Sequence, residues 1–173
     1  MIQLRCKTWS PQQIEAAARE VLPLTRAAGA LLILNDHPEL VARVGADGVH
    51  LGREDVDAAT AREILGTEAL IGVSNNSTEE LRAALPHADY VAVGPLYDTP
   101  NLSWPKPIRG LDLLRKARSL TTLPLVGIGG ITPARVAAVH KAGADSWAVI
   151  RGVCEATDPS EAVRRFIEAD PAG

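Results

Sequence analysis

Short apolar runs that alternate with helical patterns constrain this chain more than any other feature of its sequence. Seven such runs are interpreted as strands, at residues 2–5, 31–34, 48–50, 70–73, 90–93, 125–128 and 147–150. Each is rich in small branched side chains, so we expect strands that are buried on both faces. Strands alternating with helices predict an α/β fold built on a parallel sheet.

Helical patterns fill the gaps between these strands and carry their own start and stop signals. They lie at residues 11–28, 58–65, 78–85, 111–119, 133–142 and 160–169. Ser10 and Thr132 are candidate N-caps, each followed by a proline at the first helical position, and Gly66 is a candidate C-cap. No dinucleotide-binding fingerprint accompanies the pattern. The prediction is therefore a TIM-type (β/α) barrel, one domain over residues 1–173, with seven strands and without the first βα unit. An open, doubly wound sheet is the alternative.

One turn sequence occurs three times where a helix gives way to a strand. The copies are Gly45-Ala46-Asp47, His87-Ala88-Asp89 and Gly143-Ala144-Asp145. Small residues allow a tight turn, and an Asp can accept hydrogen bonds from nearby backbone N–H groups. We expect the three Asp side chains to hold equivalent turns.

Composition narrows the classes of function. A hydrophobic content of 46% excludes a disordered chain, and a net charge of −3 gives no reason to expect nucleic acid or an anionic membrane as a partner. Cys6 and Cys154 form neither a disulfide framework nor a zinc pattern, which favours a reducing, cytoplasmic location. There is no signal-peptide pattern, and no apolar run approaches the ~20 residues that span a bilayer.

Polar and charged side chains end the first three predicted strands: Gln3, Arg5, Lys7, Asn35, Asp36 and Asp55. If these strands are parallel neighbours, their ends meet at one rim, with cations facing carboxylates. Hard oxygen ligands suit Mg²⁺, and Arg and Lys bind phosphate, so the set indicates a site for a metal ion and a phosphorylated ligand. Two structural alternatives stay open. The acids could cap helices, and residues 3–7 could be a solvated edge strand.

Three further segments are candidates for ligand contacts. The run Gly127-Ile128-Gly129-Gly130 precedes a helix start and could hold a phosphate, although a tight turn without a ligand is the alternative. Arg151 adds a cation after the last strand. Ser74 could donate a hydrogen bond to a phosphate or cap a helix. His50 follows a strand, where a lone histidine is an acid or base candidate and more often a structural residue.

Taken together, these motifs resemble the thiamine-phosphate synthase (thiamine-phosphate pyrophosphorylase) family and its relative, the thiazole tautomerase. The resemblance runs from Gln3 to about Phe166. It implies a (β/α) barrel and a transferase of thiamine biosynthesis. That reaction joins hydroxymethylpyrimidine diphosphate to thiazole phosphate, releases pyrophosphate and uses Mg²⁺. The implied partners are small phosphorylated substrates.

The resemblance also implies roles for individual residues. Asp36 and Asp55 match the acids that bind Mg²⁺. Arg5, Lys7 and Ser74 match the residues expected to be catalytic. The implied substrate-binding set is Gln3, Arg5, Lys7, Asn35, Ser74, Thr99, Gly130, Ile150 and Arg151.

Departures from the family pattern keep two other functions open. The loop that reads Thr-Pro-Thr-Lys in the family reads Thr99-Pro100-Asn101-Leu102 here, so its lysine is absent, and Lys106 or Arg109 are candidate replacements. A degenerate member that only binds a phosphorylated ligand is one alternative. A thiazole tautomerase-like isomerase is the other, although Pro95 lies on the loop where that relative uses a His. An uncovered strand edge would favour a homodimer.

Overall fold

The computed structural model describes residues 1–99 and 108–171. Within them, seven strands alternate with helices, as the sequence pattern predicts. The strands are β1 (Ile2–Leu4), β2 (Leu32–Asn35), β3 (Gly48–Leu51), β4 (Leu70–Asn75), β5 (Tyr90–Val93), β6 (Leu125–Ile128) and β7 (Ser146–Ala148). The helices are α1 (Pro11–Ala27), α2 (Pro38–Val44), α3 (Ala58–Leu65), α4 (Thr78–Ala84), α5 (Gly110–Leu120), α6 (Pro133–Lys141), α7 (Arg151–Cys154) and α8 (Pro159–Glu168). In this part of the chain, no helix combines the length and apolar character needed to cross a membrane.

The chain divides into two compact units. The first comprises Met1–Ser74 with Ala84–Tyr90, and the second comprises Asn75–Ala83 with Val91–Gly173. The first unit holds β1, β2, β3 and β4 as parallel neighbours in chain order. The second unit holds β5 from Val91 onwards, β6 and β7 in the same arrangement. A single domain over residues 1–173 stays a prediction.

The core of the first unit explains why its central strands lack polar alternation. Every residue of β2 and β3 is buried. Leu32 and Leu34 of β2 belong to one apolar cluster with Ile14 and Ala18 of α1 and Leu40 of α2. Because helix side chains fill the space beside the sheet, the strands need apolar residues at successive positions.

Burial on both faces was the expectation for every strand, and it is wrong for the two outer ones. Ile2 of β1 is 51% exposed, and Ser146 and Ala148 of β7 are also exposed. For β1 the structure agrees with the edge-strand alternative.

The predicted equivalence of the three Asp turns is confirmed. In each turn the Asp carboxylate accepts a hydrogen bond from the backbone N–H of a residue in an earlier strand. The three pairs are Leu32 to Asp47 at 2.7 Å, Ile71 to Asp89 at 2.7 Å and Leu125 to Asp145 at 2.8 Å. The Asp backbone N–H donates in return to the carbonyl of the same residue. Each Asp therefore fixes where its own strand begins against the neighbouring strand.

Strand and helix ends agree with the predicted ranges to within two residues, apart from two helices that the sequence did not reveal. These are α2 and α7. Residues 149 and 150 were assigned to the last strand, but β7 ends at Ala148 and Ile150 is the N-cap of α7. The reason lies in its partner strand. β6 ends at Ile128, and Gly129 turns away at φ 91°, so no ladder is left for β7 to extend.

Arg62 of α3 ties its helix to the turn that contains Asp89. Its guanidinium donates to the carbonyls of Gly66 and Ala69 at 2.9 Å and of His87 at 3.1 Å, and to the Asp89 carboxylate at 2.6 Å. Its side chain is 21% exposed, so these bonds are only partly open to water. The fork geometry of arginine allows all four at once, which a lysine could not match.

We expect Arg62→Ala to destabilise the fold by about 2 kcal/mol, because several charge-assisted hydrogen bonds are lost together. Arg82→Ala, which removes an exposed arginine from α4, is the control and should change stability by less than about 0.5 kcal/mol. Urea unfolding of both variants measures the difference. Equal, small effects would show that the Arg62 contacts contribute nothing to stability.

Candidate functional site

The polar ends of the first two strands meet in the first unit, as expected. The Gln3 side-chain amide donates to Oδ1 of Asn35 at 2.8 Å. Lys7 Nζ donates to Oδ2 of Asp36 at 2.5 Å, with the Lys7 side chain 48% exposed and that of Asp36 16% exposed. Parallel pairing of β1 and β2 brings these residues together, because Gln3 lies opposite Ile33 and the chain positions that follow run side by side.

Asp36 adopts a backbone conformation that is uncommon outside glycine. Its φ is 70°, in the left-handed region, where Asp and Asn are enriched among non-glycine residues. Its N–H donates to the His50 carbonyl at 2.9 Å, one residue beyond the end of β2. Its Oδ1 is buried and has no hydrogen-bond partner within the described ranges 1–99 and 108–171. One carboxylate oxygen is thus paired with Lys7, and the other is left without a donor.

Asp55 lies against Asp36. The Gly52 N–H donates to Asp55 Oδ2 at 2.7 Å, and a Cβ at residue 52 would lie only 2.9 Å from the same oxygen. Burial raises the pKa of Asp55, and the neighbouring Asp36 carboxylate raises it further. The Gly52 N–H and the Lys7 charge oppose this rise in the pKa. The two carboxyl groups are therefore close enough to share a proton or a cation.

Neither acid serves as a helix cap, which was the structural alternative. The N-cap of α3 is Asp57, whose Oδ1 accepts from the Thr60 N–H at 2.7 Å. The N-cap position of α2 is His37, which makes no side-chain capping bond. Asp36 and Asp55 are thus held next to each other without a role in starting either helix.

The donor set fits a hard divalent cation that keeps part of its water shell. In residues 1–99 and 108–171, no group of three or more His, Cys, Asp or Glu side chains is placed to hold a metal. These residues therefore do not form a site in which protein side chains provide most of the metal ligands. Mg²⁺ needs only one or two protein carboxylates when substrate phosphates and waters complete its octahedron. The unpaired oxygen of Asp36 and the adjoining Asp55 carboxylate match that requirement.

Arg5 provides a cation that no acid neutralises in the part of the chain that the structure describes. Its side chain is exposed, and its charge acts on His50, whose pKa it lowers. Lys7, in contrast, is engaged with Asp36. An anionic ligand at these strand ends would meet the unpaired Arg5 and a Lys7 that also contacts Asp36.

His50 connects two other side chains of the first unit. Its Nε2 lies 2.7 Å from Ser74 Oγ, and its Nδ1 lies 2.9 Å from the Tyr90 hydroxyl oxygen. Burial lowers the pKa of His50 to about 4, with Asp55 opposing the shift and Arg5 adding to it, so the ring is neutral near pH 7. Burial likewise raises the pKa of Tyr90. The sequence alone presented His50 as a lone histidine.

Glycine at position 72 is what allows this arrangement. A side chain there would overlap the Tyr90 ring, because Gly72 lies directly against it. Glycine at this position leaves room for the Tyr90 hydroxyl to reach His50. The requirement cannot be read without knowing where Tyr90 lies, so Tyr90 was missed as a site residue.

The glycine-rich run of the second unit is a crossing of two loops. The Tyr97 N–H donates to the Gly129 carbonyl at 3.1 Å, and a Cβ at Gly130 would press on the backbone of Tyr97 and Asp98. Arg135, which the sequence did not single out, donates to the Gly130 carbonyl at 2.6 Å and lies 4.4 Å from the centroid of the Tyr97 ring. Close loop packing accounts for these glycines, and a ligand contact at Gly130 stays a prediction.

The other predicted residues of the second unit have defined places. Thr99 is half-buried and is the last described residue before segment 100–107, so the departures at Asn101 and Leu102 and the candidate Lys106 lie outside the described residues. Arg109 is the N-cap residue of α5, and its N–H donates to the Pro95 carbonyl at 2.9 Å.

The two predicted contacts at the end of the chain lie in and beside α7. Arg151 Nε pairs at 2.7 Å with Glu155, the C-cap residue of α7, and Ile150, its N-cap residue, is 48% exposed. The Arg151 guanidinium therefore already has an acidic partner. Phosphate contacts by these two residues stay predictions.

Comparison with known proteins gives consistent matches. A family model described as thiamine monophosphate synthase matches residues 1–153. The thiamine-phosphate synthase of Laribacter hongkongensis is 42% identical over 166 residues, covering 96% of this chain and 79% of that protein. The thiamine-phosphate synthase of Natronomonas pharaonis is 42% identical over 172 residues, covering 98% and 80%. Among solved structures, a thiamine phosphate pyrophosphorylase from Pyrococcus furiosus matches with a TM-score of 0.89 and 33% identity, covering 97% of this chain and 81% of that one.

We expect Asp55→Asn to raise the melting temperature in metal-free buffer at pH 7. In the folded protein the pKa of Asp55 is raised, so above that pKa the charged form carries a penalty that the unfolded chain does not carry. An amide removes this penalty and still accepts from Gly52. Because solvent screens a partly exposed pair, the rise should be about 2 °C.

The expected difference between Asp55→Asn and the wild-type protein narrows as the pH falls towards 4, because the wild-type carboxyl group then becomes protonated in the folded state and the penalty on its charged form is lost. Asp112→Asn, at an exposed carboxylate on α5, is the matched control and should change little. Thermal unfolding by circular dichroism across this pH range measures both. A variant less stable than the wild-type protein at pH 7 would contradict the assignment of the pair.

Proposed function

This chain belongs to the thiamine monophosphate synthase family, and from that premise we propose that it joins hydroxymethylpyrimidine diphosphate to thiazole phosphate with release of pyrophosphate. The resemblance inferred from the motifs is confirmed, as is the α/β fold of TIM type with seven strands. The family's synthases are transferases, so the enzyme class predicted from the sequence is confirmed as well. The site residues and the metal are part of the proposal.

One observation carries the proposal: an acid pair, a free arginine and a lysine converge at the ends of neighbouring strands. Asp36 and Asp55 adjoin, Lys7 contacts Asp36, and Arg5 has no acidic partner among the residues described. This is the charge arrangement that a diphosphate with a bound divalent cation needs. The Gln3 and Asn35 amides beside it offer further hydrogen bonds to phosphate oxygens.

Asp36 and Asp55 would hold Mg²⁺. When bound, the ion neutralises negative charge on the diphosphate, which makes pyrophosphate a better leaving group. Binding of the ion requires carboxylate oxygens that carry no proton. Because the pKa of Asp55 is raised, the ion would compete with a proton on Asp55, and this competition would weaken as the pH rises.

The chain's own cations act on the same leaving group. Arg5 and Lys7 are placed to bind diphosphate oxygens by charge-assisted hydrogen bonds, and these strengthen as the bond to the methylene carbon breaks and its electron pair moves onto oxygen. The thiazole nitrogen then donates its lone pair to the electron-poor methylene carbon, which forms the new carbon–nitrogen bond. Electrostatic stabilisation of the departing pyrophosphate is the main catalytic contribution in this scheme.

The two other functions have less support. Pro95 supplies no acid or base at the loop where the tautomerase-like alternative needs a His. A degenerate binding protein would not need two adjoining carboxylates beside an unpaired arginine, because these groups are costly unless a cation and an anion occupy the site. Small phosphorylated compounds are the partners that the proposal requires. The exposed edge of β1 supports a homodimer, and a cytoplasmic location stays a prediction.

We expect Arg5→Ala to lower turnover by about two orders of magnitude or more, because an electrostatic contact to the leaving group is lost. Formation of thiamine phosphate from the two substrates in the presence of Mg²⁺ is the assay. Arg115→Ala is the control, since Arg115 is exposed on α5 and its acidic partner among the described residues is Asp112 of the same helix. Turnover of Arg5→Ala within twofold of the wild-type value would count against the assignment of Arg5.

Asp36→Asn should abolish stabilisation of the protein by Mg²⁺. For the wild-type protein we expect the melting temperature to rise with Mg²⁺ concentration, because an ion that binds the folded state stabilises it by mass action. Asp112→Asn should retain the wild-type response. The thermal shift needs no substrate and no turnover. An unchanged Mg²⁺ response in Asp36→Asn would exclude Asp36 as a metal ligand.

A further inference from the structure

Tyr90, His50 and Ser74 form an unbroken chain of hydrogen bonds inside the first unit. The distances are 2.9 Å from the Tyr90 hydroxyl to His50 Nδ1 and 2.7 Å from His50 Nε2 to Ser74 Oγ. We propose that Tyr90 and His50 are positioning residues that fix the Ser74 hydroxyl as a hydrogen-bond donor to the pyrimidine diphosphate substrate. This inference rests on the proposed function for the identity of the substrate.

The Tyr90 hydroxyl determines which group donates in each of these two hydrogen bonds. Its hydroxyl is buried, and burial raises its pKa, so it keeps its proton and must place it on an acceptor. In the part of the chain that the structure describes, the only acceptor within hydrogen-bonding distance is His50 Nδ1. A neutral imidazole that accepts at Nδ1 carries its proton on Nε2, so His50 donates to Ser74 Oγ.

The hydrogen bond from His50 determines the orientation of the Ser74 hydroxyl. Because its oxygen accepts from His50, its own proton points away from the ring and is available to a ligand. Among residues 1–99 and 108–171, the Ser74 hydroxyl has no hydrogen-bond partner other than His50. The hydroxyl is therefore prepared as a donor, suited to an acceptor such as a pyrimidine ring nitrogen or a phosphate oxygen of the substrate.

The strand register makes this arrangement rigid. His50 on β3 pairs with Gly72 on β4, and Ser74 lies two residues beyond Gly72, on the same face of the strand. The Tyr90 ring occupies the space that a side chain at Gly72 would need. The His50 and Tyr90 rings are also in contact, with their centroids 5.5 Å apart. Ring packing and two hydrogen bonds together leave His50 little freedom to rotate.

The first experiment is a double-mutant cycle on synthase activity. Tyr90→Phe keeps the ring but removes the hydroxyl, and we expect kcat/KM for the pyrimidine diphosphate to fall about 5–10-fold, the value of one hydrogen bond. In a Ser74→Ala background the same change should cost less than about twofold, because there is no hydroxyl left to orient. Equal losses in both backgrounds would overturn the relay and leave Tyr90 a purely structural role.

The second experiment separates the two nitrogens of His50. In His50→Gln the side-chain amide lies near the position of Nε2 and keeps a donor for Ser74. In His50→Asn the shorter amide reaches only the position of Nδ1. We expect His50→Gln to retain most of the wild-type kcat/KM and His50→Asn to fall to the level of Ser74→Ala. If both variants lose the same activity, and this loss matches the decrease in their melting temperatures, the proposal is overturned.

The third measurement requires no activity. Nitrogen-15 NMR of the imidazole rings in the substrate-free protein reports the tautomer, and comparison with His50→Gln assigns the His50 signals. We expect the proton on Nε2 in the wild-type protein and a mixed population in Tyr90→Phe. A proton on Nδ1 would overturn the relay whatever the enzyme does. Absence of thiamine phosphate formation by the wild-type protein would instead overturn the proposed function, and the tautomer would then decide the relay alone.

Discussion

The contact between the Asp36 and Asp55 carboxyl groups is the constraint on which the rest of the site depends. Burial raises the pKa of Asp55, and the adjoining Asp36 carboxylate raises it further, because two acids in a partly buried position repel each other once both are ionised. Lys7 neutralises one oxygen of the pair and leaves another without a donor. Asp36 also holds a left-handed backbone conformation to reach this place. Such unfavourable local features persist where surrounding structure enforces them, and they are common at functional sites.

Much of this site could be predicted because it lies at strand ends. Polar residues directly after short apolar runs must meet once those runs pair in parallel and in chain order, and this places Gln3 beside Asn35 and Lys7 beside Asp36. The turns at Asp47, Asp89 and Asp145 were predictable for a similar reason, since one short segment contains both the small residues and the acceptor. In each case the residues that determine the contact lie in one short segment, and the parallel pairing of the strands brings that segment against its partner.

What the sequence did not reveal depends on contacts between distant positions. Tyr90 looks like any aromatic residue of a buried strand, and its partner His50 lies 40 residues away. Arg135 was overlooked because its value comes from the crossing of two loops, at the carbonyl of Gly130 and the ring of Tyr97. Helix α7 is a single turn, too short for a periodic pattern. These features arise from packing, and no window of neighbouring residues encodes them.

The acid pair and the His50 relay are electrostatically linked through Arg5 and Asp55. Asp55 raises the pKa of His50 and Arg5 lowers it, so their effects on the ring oppose each other. A diphosphate bound by Arg5 and a cation bound by Asp55 would weaken both influences together. Burial, the largest cause of the lowered pKa, is a property of the folded core that neither ligand removes. Burial therefore favours the neutral His50 ring independently of the charges that Arg5 and Asp55 meet, and the neutral ring is the form that donates from Nε2 to Ser74.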